Sequence, residues 1–307
     1  MDYIIQVQNL TKLYGKLMAV DHINFEVEKG EIFGFLGPNG AGKTTTLRML
    51  TGVIKPDNGE ANILGYSILK EPLNAKQNIG VVPETSNAYV DLSAWQNMML
   101  MAELYGVPKN EAESRAKNLL DRLGIYERRD SKVKGFSKGM KQRLILCMAL
   151  INDPVLIFLD EPTSGLDVQS SQMIRGILQE FSKEGKSIFL TTHNMDEANR
   201  LCDRVAIISH GKIAAIDRPA KLKTIIKRLN SVEISFDKTI NIESVSEISY
   251  ISEVRKEGDK FVISTENVNG LINSLTNFAE SQNLKIISIN TLAPSLEEVF
   301  IQLTGDV

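Results

Sequence analysis

Two periods of hydrophobic and polar residues alternate along this 307-residue chain. Near the N-terminus "IIQVQNL" and "INFEVE" carry apolar residues at every second position, which reads as strand. A turn at "KG" and the run "EIFGFL" follow, and these two runs read as a hairpin across the turn. Gly37 to Gly42 is a loop, Thr44 to Leu50 a helix, and "EANILG" and "IGVVP" are two short strands. From about residue 93 to 151 the period becomes helical. Ser93 and Gln96 make a capping box ahead of "NMMLMAELYG". Ala116, Leu119, Leu120 and Leu123 share one face of a second helix, which Gly124 can end.

Strand and helix then alternate. "VLIFLDEP" is a strand, Ile174, Ile177, Leu178 and Phe181 stripe a helix, and "SIFLTTH" is a strand before a short helix and "VAIISHGKIAAI". This order predicts an α/β fold with a largely parallel sheet, carrying the 93–151 block as a helical insertion. The composition shifts near "DRPAKLKTIIKRLN". Beyond it come "VEISF", a hairpin turning at Gly258, a helix with Leu271, Ile272, Leu275 and Phe278, the strand "KIISIN" and a last helix after Pro294. That is a small α+β domain of about 85 residues with no phosphate loop and no ligand cluster.

Composition narrows the function. Hydrophobic residues make 43% and charged residues 24%, the balance of an ordinary globular protein, and the formal net charge of -3 supplies no basic field for unspecific nucleic-acid binding. The two cysteines, Cys147 and Cys202, have no partner at metal spacing and read as reduced thiols. "MDYIIQVQNL" has no signal-peptide core. The longest apolar run, "LILCMALI", is eight residues, far short of the roughly 18 to 20 needed to span a bilayer. A membrane role is expected through a partner.

The chemistry concentrates in four stretches. "GPNGAGKT", Gly37 to Thr44, follows a strand and precedes a helix, the setting in which backbone N–H groups converge on phosphate oxygens. Lys43 would reach the β- and γ-phosphates and Thr44 would place its hydroxyl on Mg²⁺. In "VLIFLDEP" an apolar strand carries Asp160 to its carboxyl end as the Mg²⁺-side carboxylate, and Glu161 next to it is placed to polarise an attacking water. The bland alternative is a solvated acidic pair. His193 ends "SIFLTTH" at the same expected edge and is assigned to the γ-phosphate; His22 and His210 receive no role. "FSKGMKQR" offers Ser137 as an N-cap and Gly139 for close approach, a helix start that can hold a phosphate but neither base nor metal. It is half a site.

In order and spacing these stretches resemble the ATPase subunits of ABC transporters, over residues 1 to about 220. The resemblance implies a P-loop NTPase (RecA-like) core with an antiparallel β subdomain, a helical subdomain at about 89–151, and an accessory α+β domain at 221–307. It implies ATP held by Tyr14 (stacked on adenine), by Gly37, Pro38, Asn39, Gly40, Ala41, Gly42, Lys43, Thr44 and Thr45, and by Ser137 and Gly139 of the family signature. It implies Mg²⁺ at Thr44, Asp160 and Glu84, with Lys43, Glu161 and His193 catalytic and Ser164 to Asp167 as the D-loop. In that family one subunit's signature covers the γ-phosphate in the other's phosphate loop, so two identical copies would complete two sites. A peripheral place on the inner membrane face, through integral-membrane permease subunits, is implied as well.

The tail "LAPSLEEVFIQLTG" resembles ATPases of exporters whose membrane subunits are separate chains. An importer subunit is the nearer alternative; a nucleic-acid ATPase would need long coiled-coil insertions or two cassettes, and a small-molecule kinase has no use for "LDEPTSGLD". Two departures stand out. The signature, usually Leu-Ser-Gly-Gly-Gln, is Phe136, Ser137, Lys138, Gly139, Met140, and Glu84 replaces a glutamine. Trp95 opens the helical block either as a packed aromatic or as a contact for a membrane subunit.

Overall fold

The computed structural model describes residues 3–85, 88–225, 230–292 and 295–305. It divides into two compact units, residues 1–219 and 220–307.

The first hairpin joins β1 (Tyr3–Tyr14) to β2 (Leu17–Glu28), with Tyr14 opposite Leu17 and Gly15 supplying a positive φ in the turn. The hairpin expected across "KG" does not form. β3 (Ile32–Leu36) is buried at all five positions, so it cannot serve as a half-exposed hairpin arm. It runs instead in a second sheet, parallel to strands from much later in the chain.

After α1 (Lys43–Leu50), β4 (Asn58–Ile63) and β5 (Tyr66–Ser67) complete an antiparallel sheet in the order β2-β1-β4-β5. The short α2 (Pro72–Gln77), started by its own proline, leads into β6 (Ile79–Val82).

The helical block comprises α3 (Ala94–Leu104), α4 (Lys109–Arg122) and α5 (Lys138–Leu150). Its capping box is present: Gln96 N donates to Ser93 Oγ and Ser93 N donates to Gln96 Oε1. Asn97, fully buried, ties the chain on entry by accepting from Tyr89 N and donating to Tyr89 O. Ala116, Leu119, Leu120 and Leu123 are buried together, and Gly124 ends the helix at positive φ. Trp95 is half-buried.

β7 (Leu156–Asp160), α6 (Val168–Lys183), β8 (Ser187–Thr192), α7 (Met195–Leu201), β9 (Arg204–Ser209) and β10 (Lys212–Asp217) complete the second sheet, ordered β10-β9-β3-β8-β7-β6. Only β10 runs antiparallel to its neighbour. Phe189 sits at the centre of the core, its ring 5.5 to 6.0 Å from those of Phe25, Phe33, Phe35 and Phe158. Phe25 comes from the antiparallel sheet and the others from the parallel one, so this aromatic cluster fastens the two sheets together, each pair adding about 0.5–1.5 kcal/mol beyond its buried area.

α8 (Pro219–Ile225) lies at the division between the units. The second unit has β11 (Asn230–Phe236), α9 (Ile242–Ser246), β12 (Glu253–Glu257), β13 (Lys260–Thr265), α10 (Val268–Ser281), β14 (Ile286–Leu292) and α11 (Leu296–Thr304). Its four strands form an antiparallel sheet, β12-β13-β11-β14, and Gly258 turns the β12–β13 hairpin. Val232, Ile234, Phe261 and Ile263 pack on Leu271, Leu275 and Ala279 of α10. Pro294, the expected marker of the last helix, and residues 226–229 of the "DRPAKLKTIIKRLN" stretch lie outside the described residues.

Candidate nucleotide site

β3, β8 and β7 are neighbours in the parallel sheet, so the segments leaving their carboxyl ends are neighbours too. These segments are the glycine loop after β3, Asp160 and Glu161 at the end of β7, and His193 just beyond β8. Gly37 N donates to Thr192 O at 3.3 Å, tying the start of the loop to the end of β8. A Cβ at Gly37 would lie 2.2 Å from Ile208 O, and Gly42 combines φ +109° with a Cβ position 2.5 Å from Ala19 O. Neither position admits another residue. Pro38, Asn39 and Gly40 are exposed at the tip, Ala41 and Gly42 are buried, and Thr44 and Thr45 are half-buried in the first turn of α1. The N–H groups of that turn have no intrahelical acceptors and carry the positive end of the helix dipole, which is the physical basis of an anion cradle.

Lys43 is 5% exposed and its ammonium donates to Gly37 O at 2.8 Å and Pro38 O at 3.1 Å, so the charge is held inside the loop. Thr44 Oγ1 donates to Asp160 Oδ1 at 3.1 Å, and Thr191 Oγ1 donates to the same oxygen at 2.5 Å. Asp160 is buried, and these two hydroxyls fix its carboxylate beside Thr44.

Glu161 is buried as well, in the left-handed backbone region at φ +51°. Pro162 disfavours the right-handed helical region for the residue before it, and the left-handed conformation costs about 1–2 kcal/mol. Two hydrogen bonds from Glu161 N, to Thr191 O and Thr191 Oγ1, hold it there. The carboxylate then meets the two nitrogen-bearing side chains of the site: Oε1 is 3.2 Å from Lys43 Nζ, and Oε2 accepts from His193 Nδ1 at 2.8 Å. Oε1 accepts no hydrogen bond among the described residues, so Lys43 is its ionic partner without hydrogen-bond alignment.

The remaining expected residues stand apart. Ser137 caps α5 by accepting from Met140 N, and Gly139 packs so closely on Ser170 that a Cβ there would lie 2.5 Å from Ser170 Oγ. Lys138 is exposed and lays its ammonium over Gly165. Tyr14 is exposed at the end of β1, with Lys12 Nζ 5.8 Å from its ring centre. Glu84 is exposed two residues beyond β6 and makes no ion pair among the described residues, whereas Thr44 and Asp160 touch. No cluster of three or more His, Cys, Asp or Glu side chains able to hold a metal occurs among the described residues.

Three residues escaped the reading of the sequence: Thr191, which holds both Asp160 and Glu161, and the bonded pair Thr163 and Glu197. The signal for Thr191 was its place beside Asp160 in the parallel register, which the sequence does not disclose.

Residues 20–164 match the family model described as ABC transporter. Over 309 residues the chain is 36% identical to the linearmycin resistance ATP-binding protein LnrL of Bacillus subtilis (strain 168), covering 98% of each. The chain belongs to the ABC transporter family. It is similar too to the Nod factor export ATP-binding protein I of Ralstonia nicotianae, 35% identical over 98% of this chain and 94% of that one. Among solved structures, the dimeric post-hydrolysis state of the ATP-binding cassette MJ0796, bound to ADP and Pi, superimposes with TM-score 0.64 at 25% identity, covering 70% of this chain and 98% of that one. The chain is therefore an ATP-binding, ATP-hydrolysing subunit of an ABC transporter, built on the α/β P-loop fold of such ATPases. No helix among the described residues is long and apolar enough to cross a membrane, and ABC ATPases of this kind act with separate membrane components.

Proposed function

We propose that two copies of this chain close around two ATP molecules and use their hydrolysis to drive export through separate membrane subunits, from a peripheral place on the inner face of the membrane. The names of two export and resistance ATP-binding proteins and the dimer with ADP and Pi support this reading. The single observation that carries the hydrolytic part is the buried carboxylate of Glu161 set between Lys43 and His193.

Within this reading the triphosphate occupies the loop Gly37–Thr45, and its charge replaces Glu161 as the counter-ion of Lys43. Glu161, released from the ammonium, accepts the proton of the attacking water as the new P–O bond forms and ADP leaves. His193 shares a hydrogen bond with Glu161 through Nδ1, and its ring serves as the γ-phosphate contact. Thr44 and Asp160, already in contact, fit Mg²⁺ through hydroxyl and carboxylate oxygens, with Glu84 as a further oxygen donor from the end of β6. Bound there, Mg²⁺ neutralises phosphate charge. Tyr14 stacks on the adenine. Ser137 and Gly139 cap the γ-phosphate held by the other copy, and the 220–307 unit serves as an accessory domain.

The test is Glu161→Gln. ATP binding should stay within about twofold of wild type, hydrolysis should fall at least about a hundredfold, and an ATP-dependent dimer should accumulate in gel filtration. Hydrolysis at the wild-type rate would remove Glu161 from the chemistry.

A further inference from the structure

The segment after β7 and the segment after β8 are fastened to each other twice. The first link is Glu161 Oε2 to His193 Nδ1. The second lies two residues on in one segment and four in the other: Thr163 Oγ1 donates to Glu197 Oε1 at 2.6 Å. Glu197 is 1% exposed, in the first turn of α7, and belongs to none of the phosphate or metal groups described above. Each end of the second link is itself anchored. Glu197 N donates to Asn194 Oδ1 and Asn194 N to Thr192 Oγ1, while Ser164 N donates to Glu161 O and Leu166 N to Thr163 O. The result is a closed ring that runs Glu161, Pro162, Thr163, across to Glu197, back through Asn194 to His193, and across again to Glu161. An open cavity bordered by Glu161, Thr163, His193 and Asn194, and on its other side by Gly165, Leu166 and Arg175, adjoins the two segments.

We propose that the Thr163–Glu197 hydrogen bond is a positioning element for hydrolysis, holding the Glu161–His193 pair in its reactive geometry. A buried carboxylate with a short, charge-assisted bond is a costly way to fasten two loops that an apolar contact could join. Its value is directional: it fixes where the backbone of each loop runs, one turn from the groups that act on phosphate. Neither residue bonds to Lys43, Thr44 or Asp160, and both act through the pair. The inference rests on the roles given above to Glu161 and His193.

The decisive variant is Thr163→Val, which keeps the shape and removes the donor. In the full-length protein with Mg²⁺ and ATP, the turnover number should fall about tenfold, the effect of one bond to a charged group, while ATP affinity changes less than about twofold. Thr163→Ser, which restores the donor, should recover at least half of the lost rate. Glu197→Leu, which removes the acceptor from the other side, should give the same split between turnover and affinity, so the proposal stands on either variant that folds. The remaining check is a cycle with His193→Ala, read by single-turnover hydrolysis. If the link acts through the pair, Thr163→Val should cost less than about twofold once His193 is gone. A full tenfold loss in that background, an equal loss of affinity and turnover, or wild-type turnover in Thr163→Val would each overturn the proposal. Glu161→Gln run in parallel separates the two claims. Wild-type hydrolysis there removes the reading on which the proposal rests, whereas an inactive Glu161→Gln beside a fully active Thr163→Val removes the positioning role alone.

Discussion

The ammonium of Lys43 lies 3.2 Å from Oε1 of Glu161, and both side chains are more than nine-tenths buried. One residue opens α1 and the other follows β7, so the phosphate-loop cation and the carboxylate assigned to the attacking water neutralise each other. In the proposed reaction the entering phosphates compete with Glu161 for Lys43. Binding of the substrate then frees the base.

This pairing makes Lys43→Ala a variant with two separable effects. Removing one partner of a buried ion pair should destabilise the fold by about 3 kcal/mol, measured by urea unfolding. ATP affinity should also drop at least tenfold, roughly the contribution of one charge-assisted contact. The double variant Lys43→Ala with Glu161→Gln, which removes both charges of the pair, should regain most of the stability and none of the affinity. Equal stability of single and double variants would contradict the pairing.

Gly139 is a glycine for a local reason as well as for its place in the signature. A Cβ would fall 2.5 Å from Ser170 Oγ and 3.1 Å from Ser170 Cβ. Ser170 cannot turn away cheaply, because its hydroxyl donates to Asp167, the cap of α6. Gly139→Ala should therefore cost about 1–3 kcal/mol through overpacking, and adding Ser170→Gly should return most of it. Urea unfolding of the two variants checks this, and an unrelieved loss in the pair would show that the cost lies elsewhere.

Much of the site was legible because its parts sit at the ends of apolar runs. "EIFGFL", "VLIFL" and "SIFLTT" each deliver their polar residue at a carboxyl end, and the parallel sheet brings those ends together. The β2–β3 hairpin misled because "KG" is a turn in either topology. The difference lay in the strands, since "INFEVE" alternates and "IFGFL" does not. The left-handed backbone of Glu161, the hydroxyls of Thr191 and the approach of Gly139 to Ser170 depend on neighbours far along the chain, which a one-dimensional pattern does not carry.

Cys147 and Cys202 are both fully inside the protein, and burial pushes both thiols up, helped at Cys202 by Glu197 and Asp203. A raised thiol keeps its proton in the folded state. Its contribution to stability is therefore complete below the unfolded thiol's value of about 8.5 and is lost only as the pH climbs toward the folded value. Between pH 7 and 8, iodoacetamide should label neither cysteine except at the rate of unfolding, and stability should decline above about pH 8.5. Rapid labelling of the native protein would contradict the burial.

The central claim is that an active site needs two copies of the chain, Lys43 from one and Ser137 from the other. The direct measurement is ATP hydrolysis by a mixture of two inactive variants, Lys43→Ala and Ser137→Arg. Homodimers of either have two broken sites. A mixed dimer gathers both defects in one site and joins an intact Lys43 loop to an intact Ser137 helix in the other. The account predicts that mixing restores hydrolysis or, should turnover require both sites, ATP-dependent dimerisation when Glu161→Gln is added to both variants. A mixture of folded proteins that recovers neither would contradict it.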